Sequence, residues 1–338
     1  MATDAVRATP TIEQVAAAAG VSRSTVSRVV NGSSAVSPEA LAAVKGAIER
    51  LAYVPNRAAR SLASRQTHAI ALVVPEDASQ FFGDPYFAGI VTGISRRISE
   101  SDYLLNLIIA SDDPSNKTAS YVRSGTIDGA LVASHHAEDR FIDAIAAAVP
   151  LVFGGRPAQW SDTHHFVDVD NVAGARLATQ HLIERGRTRI ATITGPLSMP
   201  AGVDRLAGWS AALAEAGLAE GPAEDGGFKP ELAEDAMRRI LASGREFDAL
   251  FVASDMMARA AIRVLTAAGI RVPQDVAIVG YDDSPVATDR EPQLTTIRQP
   301  LEQMGETMAS LLIQVLAGTA PAERALIMPT ELVVRETT

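Results

Sequence analysis

Residues 11–32 read TIEQVAAAAGVSRSTVSRVVNG, and the spacing describes two short helices joined by a tight turn. Thr11 is placed to cap the first helix, and Gln14, three residues on, completes a reciprocal capping box. Ile12, Val15, Ala16 and Ala19 fall at i, i+3, i+4 and i+7, one apolar face of a helix. Gly20 ends that helix, because glycine enters the left-handed conformation without a Cβ penalty. Ser22 caps a second helix over residues 23–30, with Val26, Val29 and Val30 inward. Arg23, Ser24, Ser27 and Arg28 are left facing outward, and Asn31-Gly32 closes the unit.

Two helices joined by a glycine-containing turn form a helix-turn-helix, whose second helix lies in the DNA major groove. The outward residues suit that placement, since arginine grips guanine with two hydrogen bonds and serine pairs with several bases. Taken alone, the pattern also describes a helical hairpin of an unrelated fold with solvated arginines. The rest of the chain decides between the two.

At 338 residues two or three domains are expected, and an apolar content of 47% is ample for buried cores. The chain has no cysteine, which excludes disulfides and thiolate metal sites. It has no apolar run long enough to span a bilayer, and its first residues, MATDAVRATPT, lack the features of a signal peptide; a cytoplasmic protein is expected. The net charge of −10 divides unevenly. Residues 1–67 carry eight basic side chains against four acidic ones, a net of +4 that leaves −14 for the remainder. A basic head on an acidic body fits a modular nucleic-acid binder.

After the hairpin, Ser37-Pro38 starts a third helix, with serine as cap and proline in the first turn. Leu41, Val44, Ile48 and Leu51 recur at helical spacing to close a small core, and Tyr53-Val54-Pro55 ends the helix. Next comes NRAARSLA (56–63), capped by Asn56 and rich in arginine through Arg57 and Arg60, with Arg65 just beyond. A helix of about eight residues is marginal by itself in water, so this segment is expected to fold on binding. Leu62 is an apolar residue on this polar linker, suited either to wedge into a minor-groove base step or to pack against the following domain.

From residue 69 the pattern changes. Near-continuous apolar strands are expected at 69–75, 103–110, 129–134, 151–154, 166–170, 189–195, 249–254 and 276–282, with helices between them. This alternation means parallel sheets covered on both faces. It occurs twice, restarting at FVDVD (166–170), so two doubly wound lobes are expected, with a ligand between them near the carboxyl ends of the strands.

Four segments in order, TIEQVAAAAGVSRSTVSRVVNG, YVPNRAARSLA, GYDDSPVA and LTTIRQP, resemble the lactose/galactose repressor (LacI/GalR) family of bacterial transcription regulators. GPLS (195–198), RLAGW (205–209) and ASDMMA (253–258) extend the resemblance over nearly the whole chain. It implies an α-helical helix-turn-helix headpiece (1–55), a hinge helix and linker (56–67), and an α/β periplasmic-binding-protein-like core of two doubly wound parallel-sheet lobes (68–338). The first lobe is expected at about 68–165 plus 299–328, the second at about 166–298 plus 329–338. The resemblance also implies a homodimer on a palindromic operator with half-sites roughly 34–36 Å apart. Arg23, Ser24 and Arg28 match base-reading positions, with Thr11, Ser22, Thr25, Ser27 and Asn31 beside them. Tyr53, Asn56, Arg57, Arg60 and Ala63 extend the DNA-binding set, and Leu62 matches the leucine inserted at the operator centre. With no tetramerising heptads after the last strand, a dimer is expected.

The same resemblance implies a small-molecule effector in the cleft. Arg205 matches an arginine that reaches a sugar hydroxyl or an acidic group, and Asp282 a carboxylate that accepts bonds from vicinal hydroxyls. Gln299 matches a polar lining position at the crossover, Phe228 a ring that stacks on a sugar, and Phe87 a first-lobe residue near the ligand. Ser254 stands where the family often has asparagine, and Gly155, followed by Arg156, where it often has aspartate. Ala133 replaces a polar lining residue, with Ser134 adjacent. A carboxylate facing a guanidinium suits a polyhydroxylated ligand, since each hydroxyl both donates and accepts. The expectation is a repressor released by a mono- or oligosaccharide inducer. The alternative is a corepressor design in which a purine-like or phosphorylated ligand tightens DNA binding.

The other class is an enzyme or a periplasmic solute-binding protein; the lobes alone would suit the latter, but the chain carries a DNA-binding head and no signal-peptide pattern. His135-His136 and His164-His165 show no established metal-ligand spacing, and Gly154-Gly155 and GPLS lack the lysine of a phosphate loop. No catalytic residue, metal or cofactor is expected.

Overall fold

The structure, a computed structural model of the chain, describes residues 10–30, 35–54, 66–111, 116–159 and 164–338. It divides into two units, Met1–His68 and Ala69–Thr338. Asn31 and the expected hinge helix, with Asn56, Arg57, Arg60, Leu62 and Ala63, lie outside the described residues.

The head comprises helices α1 (Ile12–Ala19), α2 (Arg23–Val30) and α3 (Pro38–Leu51). The capping box closes: the Gln14 amide donates to Thr11 Oγ1 at 3.4 Å, and the Thr11 amide donates to Gln14 Oε1 at 2.9 Å. Gly20 ends α1 at φ 66°, in the left-handed region. Val15, Ala16, Val26, Val44 and Ala47 form the buried core, with Ile12, Ala19, Val29, Val30, Ile48, Leu51 and Tyr53 packed against it. Leu41 is not part of it. It lies 37% exposed, because α3 is longer than the two helices it covers and turns Ala47 inward beside Val44.

The second unit runs β1 (Ala69–Val74), α4 (Ala78–Gly83), α5 (Pro85–Ser99), β2 (Leu104–Ile109), α6 (Lys117–Arg123), β3 (Gly129–Ala133), α7 (Phe141–Ala146), β4 (Leu151–Gly154) and β5 (His165–Val169). It continues with α8 (Asn171–Glu184), β6 (Ile190–Thr194), α9 (Pro200–Glu215), β7 (Ala223–Asp225), α10 (Pro230–Ala242), β8 (Ala249–Val252), α11 (Asp255–Ala267), β9 (Ala277–Asp282) and β10 (Thr295–Arg298). Helix α12 (Leu301–Leu316) and strands β11 (Ala325–Met328) and β12 (Glu331–Val333) end it. Two six-stranded sheets result, ordered β11-β5-β4-β3-β1-β2 and β12-β10-β9-β8-β6-β7. Every pairing is parallel except β12, which lies antiparallel on β10 at the edge of the second sheet.

Strand β1 shows why both faces are covered. Ile70, Leu72 and Val74 pack under α5 and α12, while Ala71 and Val73 pack with Val122, Ile142 and Ile145 on the other face. Side chains alternate across a strand, so a strand apolar at every position needs a layer on each side. Helices α5 and α12 cross closely: a Cβ on Gly93 would lie 1.9 Å from the Glu302 carbonyl oxygen.

The expected lobe boundary at 166 is wrong. Strand β5 does not begin the second lobe; it sits in the first sheet between β4 and β11, with Val152 opposite His165 and Ala325 opposite Phe166. Strand–helix periodicity repeats identically in both lobes and does not say which sheet a strand joins. The chain therefore passes between lobes at 170, at 299–300 and at 329–330, immediately beside the carboxyl ends of β5 and β10.

Candidate DNA-reading helix and effector cleft

Helix α2 presents Arg23, Ser24 and Arg28 to solvent, with Thr25 and Ser27 half-buried. Ser22 caps the helix by accepting from the Thr25 amide at 3.1 Å. Its hydroxyl also lies 2.7 Å from Ser24 Oγ and 2.9 Å from Thr25 Oγ1, so the three hydroxyls form one polar cluster at the helix N-terminus. Arg23 Nε lies 3.3 Å from Glu13 Oε1, both side chains exposed. An exposed pair of this kind contributes little and yields readily to a stronger acceptor. Thr11 is spent on capping α1, and Tyr53 packs on the head core.

In the second unit the carboxyl ends of the strands from both sheets converge on one cavity of about 80 Å³. Phe87, Ser134, Arg205, Phe228, Ser254, Asp282 and Gln299 all line it. The side chains come from both lobes and from the crossover at 299.

Arg205 organises the second-lobe wall. It is 5% exposed, donates from Nε to Asn171 Oδ1 at 2.9 Å and from Nη1 to the Ala253 carbonyl at 2.6 Å. Its guanidinium carbon lies 3.7 Å from the Tyr281 ring centroid and 5.5 Å from that of Phe228. Asp282 Oδ1 lies 3.8 Å from Arg205 Nη1 and accepts from Gln299 Nε2 at 2.7 Å. Ser254 caps α11 by accepting from the Met257 amide. Three non-glycine lining residues hold left-handed backbone, Ser134 at φ 60°, Phe228 at φ 54° and Asp282 at φ 117°. Such strain persists where surrounding structure over-determines it, commonly at ligand sites. The Phe228 ring reaches the cavity because Gly195 has no side chain: a Cβ there would lie 2.2 Å from Phe228 Cζ.

The cavity is richer in carboxylates than motif matching suggests. Asp168 accepts from the Val169 amide at 2.7 Å, the Arg156 amide at 2.8 Å and Asn171 Nδ2 at 3.1 Å. Asp84, the cap of α5, lies on the first-lobe wall. Burial pushes Asp84 and Asp168 above the ordinary carboxylate range. Asp282 is pushed up to about 7, chiefly by burial, with Arg205 opposing and Asp84 reinforcing. Behind it, fully buried Asp255 is also raised by burial and by Asp282, and accepts from Thr296 Oγ1 at 2.6 Å and the Ser284 amide at 2.9 Å.

These residues escape motif matching for different reasons. Asp168 lies within FVDVD, which periodicity places in the wrong lobe, and Asp84 and Asn171 mark only element boundaries in the sequence. Arg156 stands out only as the follower of an unusual glycine. It reaches across the cleft, with Nη2 at 2.8 and 2.9 Å from the two Asp204 carboxylate oxygens. His135 and His136 lie just past the end of β3. His136 faces the second lobe, its Nδ1 2.9 Å from Ser198 Oγ and its Nε2 3.2 Å from Glu76 Oε1. Ser134 Oγ donates to the same Glu76 oxygen at 2.7 Å. Trp209 belongs to the second-lobe core. Among the described residues, no three His, Asp or Glu side chains are disposed to hold a metal ion, and no helix is long and apolar enough to cross a membrane.

Asp282 makes the cleft sensitive to pH in a definite direction. In the unfolded chain its carboxyl titrates near 3.8, so between that pH and about 7 the folded chain keeps a proton that the unfolded chain has released. Folding stability then falls as pH rises through this window and levels off above it. Asp282→Asn removes the titration, so the variant is expected to gain stability relative to the parent between about pH 5 and about pH 8, read from urea midpoints. A midpoint difference constant over that range would place the Asp282 titration at its ordinary value.

Comparison with known proteins follows the same division of the chain. Residues 11–56 match the model of bacterial regulatory proteins of the lacI family, and residues 179–338 that of a periplasmic binding protein-like domain. The chain is 46% identical over 335 residues to the HTH-type transcriptional regulator CelR of Thermobifida fusca, covering 98% of each sequence. A solved transcriptional regulator CelR–cellobiose complex superposes with TM-score 0.78 at 44% identity, over 97% of this chain and 100% of that one. A lac repressor dimer bound to operator and the anti-inducer ONPF superposes with TM-score 0.83 at 30% identity, over 98% and 99%.

Proposed function

Because this chain belongs to the lacI family of bacterial regulatory proteins, we propose that it is a homodimeric transcriptional repressor released from a palindromic operator by a β-linked glucose disaccharide of the cellobiose type. It is a DNA-binding regulator and not an enzyme. Arg23, Ser24 and Arg28 read base edges from α2, and the protein acts in the cytoplasm, where the operator is.

The observation that carries the sugar reading is the composition of the cleft. Arg205, Asp282, Gln299, Asn171 and Asp168 form one buried hydrogen-bonding wall, with the Phe228 ring beside it. That combination offers donors, acceptors and an apolar face, as a neutral polyol requires. It does not suit a phosphorylated ligand. Asp84, Asp168 and Asp282 outnumber the two lining guanidiniums, and those are already engaged, Arg156 by Asp204 and Arg205 by Asn171, Ala253 and Asp282. A dianion placed there would find both lining guanidiniums already engaged and buried carboxyls around it, which disfavours the phosphorylated-corepressor alternative.

Sugar binding and lobe geometry are linked through the contacts that span the cleft. Arg156–Asp204, Lys229–Asp77 at 3.5 Å and the Ala137 amide on the Ser198 carbonyl at 3.0 Å join the two lobes at its rim. A ligand that changes the lobe angle shifts these contacts, and coupling to DNA is reciprocal and typically about 1–3 kcal/mol. The test is fluorescence anisotropy of the dimer on a symmetric family-type operator. Cellobiose is expected to release the DNA and cellobiose 6-phosphate to have no effect. Tightening of the complex by any ligand of the panel would replace induction with corepression.

A further inference from the structure

We propose that His135 is a specificity-determining residue for the effector, its imidazole hydrogen-bonding a hydroxyl of the sugar unit on the first-lobe side of the cleft. This deepens the sugar-inducer reading and rests on it.

His135 is 6% exposed, and neither ring nitrogen has a hydrogen-bond partner of good geometry, its nearest polar partner being the Arg156 backbone. Buried polar side-chain atoms in native proteins are nearly always satisfied, so a buried ring that lacks a good partner and lines a cavity points to a partner from outside the chain. The ring lines the main cavity. It also lines a second cavity of about 40 Å³ on the first lobe, walled by His136, Asp139, Arg140 and Phe153. His135 thus stands at the partition between the space around Arg205 and a further space beside it. The Phe153 ring, 5.1 Å away between centroids, packs against the imidazole. His136, the next residue, is anchored in another direction by Glu76 and Ser198, which fixes the backbone that carries His135.

The chemistry of the ring suits a hydroxyl. Burial, reinforced by neighbouring His136 and opposed by the Arg156 backbone, pushes the imidazole down to about 4. At neutral pH it therefore carries one N–H donor and one acceptor nitrogen, and a sugar hydroxyl, which both donates and accepts, pairs with either tautomer. The polar groups on the opposite wall belong to the second lobe, so a sugar reaching both Arg205 and His135 touches the two lobes at once.

The test measures cellobiose binding to the full-length chain by calorimetry. His135→Phe keeps a flat ring but removes both nitrogens, and is expected to weaken cellobiose about tenfold. His135→Gln restores a donor and an acceptor and is expected to recover part of that loss. Thermal melts report folding of both variants. A folded His135→Phe that binds cellobiose within twofold of the parent overturns the proposal. If that variant does not fold, a structure of the parent chain with cellobiose decides: a ring nitrogen within about 3.2 Å of a sugar oxygen supports it, and any greater distance overturns it. A parent chain that binds no cellobiose removes the sugar reading and this residue's role together. Binding that His135→Phe leaves untouched removes only the latter.

Discussion

Arg205→Ala is expected to raise the Kd for cellobiose by at least about 100-fold while the dimer still binds its operator and no longer releases it. The magnitude follows from what the guanidinium does. It is buried, stacked on Tyr281, bonded to Asn171 and the Ala253 carbonyl, and set 3.8 Å from Asp282. Hydrogen bonds to a charged group contribute about 1.5–3 kcal/mol each, and a sugar in this cavity loses the group that orders its whole hydrogen-bonding wall. The substitution also leaves Asp282 buried without a counter-charge. Its carboxyl, already pushed up to about 7, is expected to rise further and stay protonated, turning an acceptor for vicinal hydroxyls into a donor. Calorimetry with cellobiose and operator anisotropy on the same samples separate the two effects. Sugar affinity within a few-fold of the parent would remove Arg205 from the site.

Arg23→Ala is expected to cost about 1–3 kcal/mol per half-site, and so at least about 30-fold in operator affinity for a symmetric dimer that loses the contact twice. Arg23 is the first residue of α2, where helix-turn-helix proteins place the side chains that meet base edges. Its partner in the free head is exposed Glu13, a pair that costs little to break. Operators carrying every base pair at one symmetric position separate readout from simple charge. Loss of discrimination at one position marks a base contact, whereas a uniform loss with a smaller salt slope marks a phosphate contact. Cellobiose affinity is expected to stay at the parent value, since Arg23 lies in the other unit of the chain.

The head is legible because its determinants are local. Thr11, Gln14, Gly20 and Ser22 act within three or four residues of their own positions, and the structure shows each cap and turn where that spacing puts it. Leu41 departs from its expected place because helical spacing marks a face without saying how far the partner helices extend along it. The strand–helix alternation of the second unit is equally readable, since strands covered on both faces must be apolar throughout. The short edge strands β7 and β11 are not, because little of either is buried and little pattern follows.

What the chain's order of residues determined by itself was therefore a basic three-helix head, two doubly wound lobes, and a set of motif positions from Phe87 to Gln299 that share one cavity. Tertiary structure alone decided that β5 completes the first sheet, that Asp84, Asp168 and Asn171 join the cleft wall, and that His135 and His136 turn to different partners. It also decided that Asp282 is buried, which raises its carboxyl above the ordinary range. The physical reason is common to all of these. Sheet membership, burial and the field at a carboxylate are set by groups tens to hundreds of residues away, and no local spacing records them.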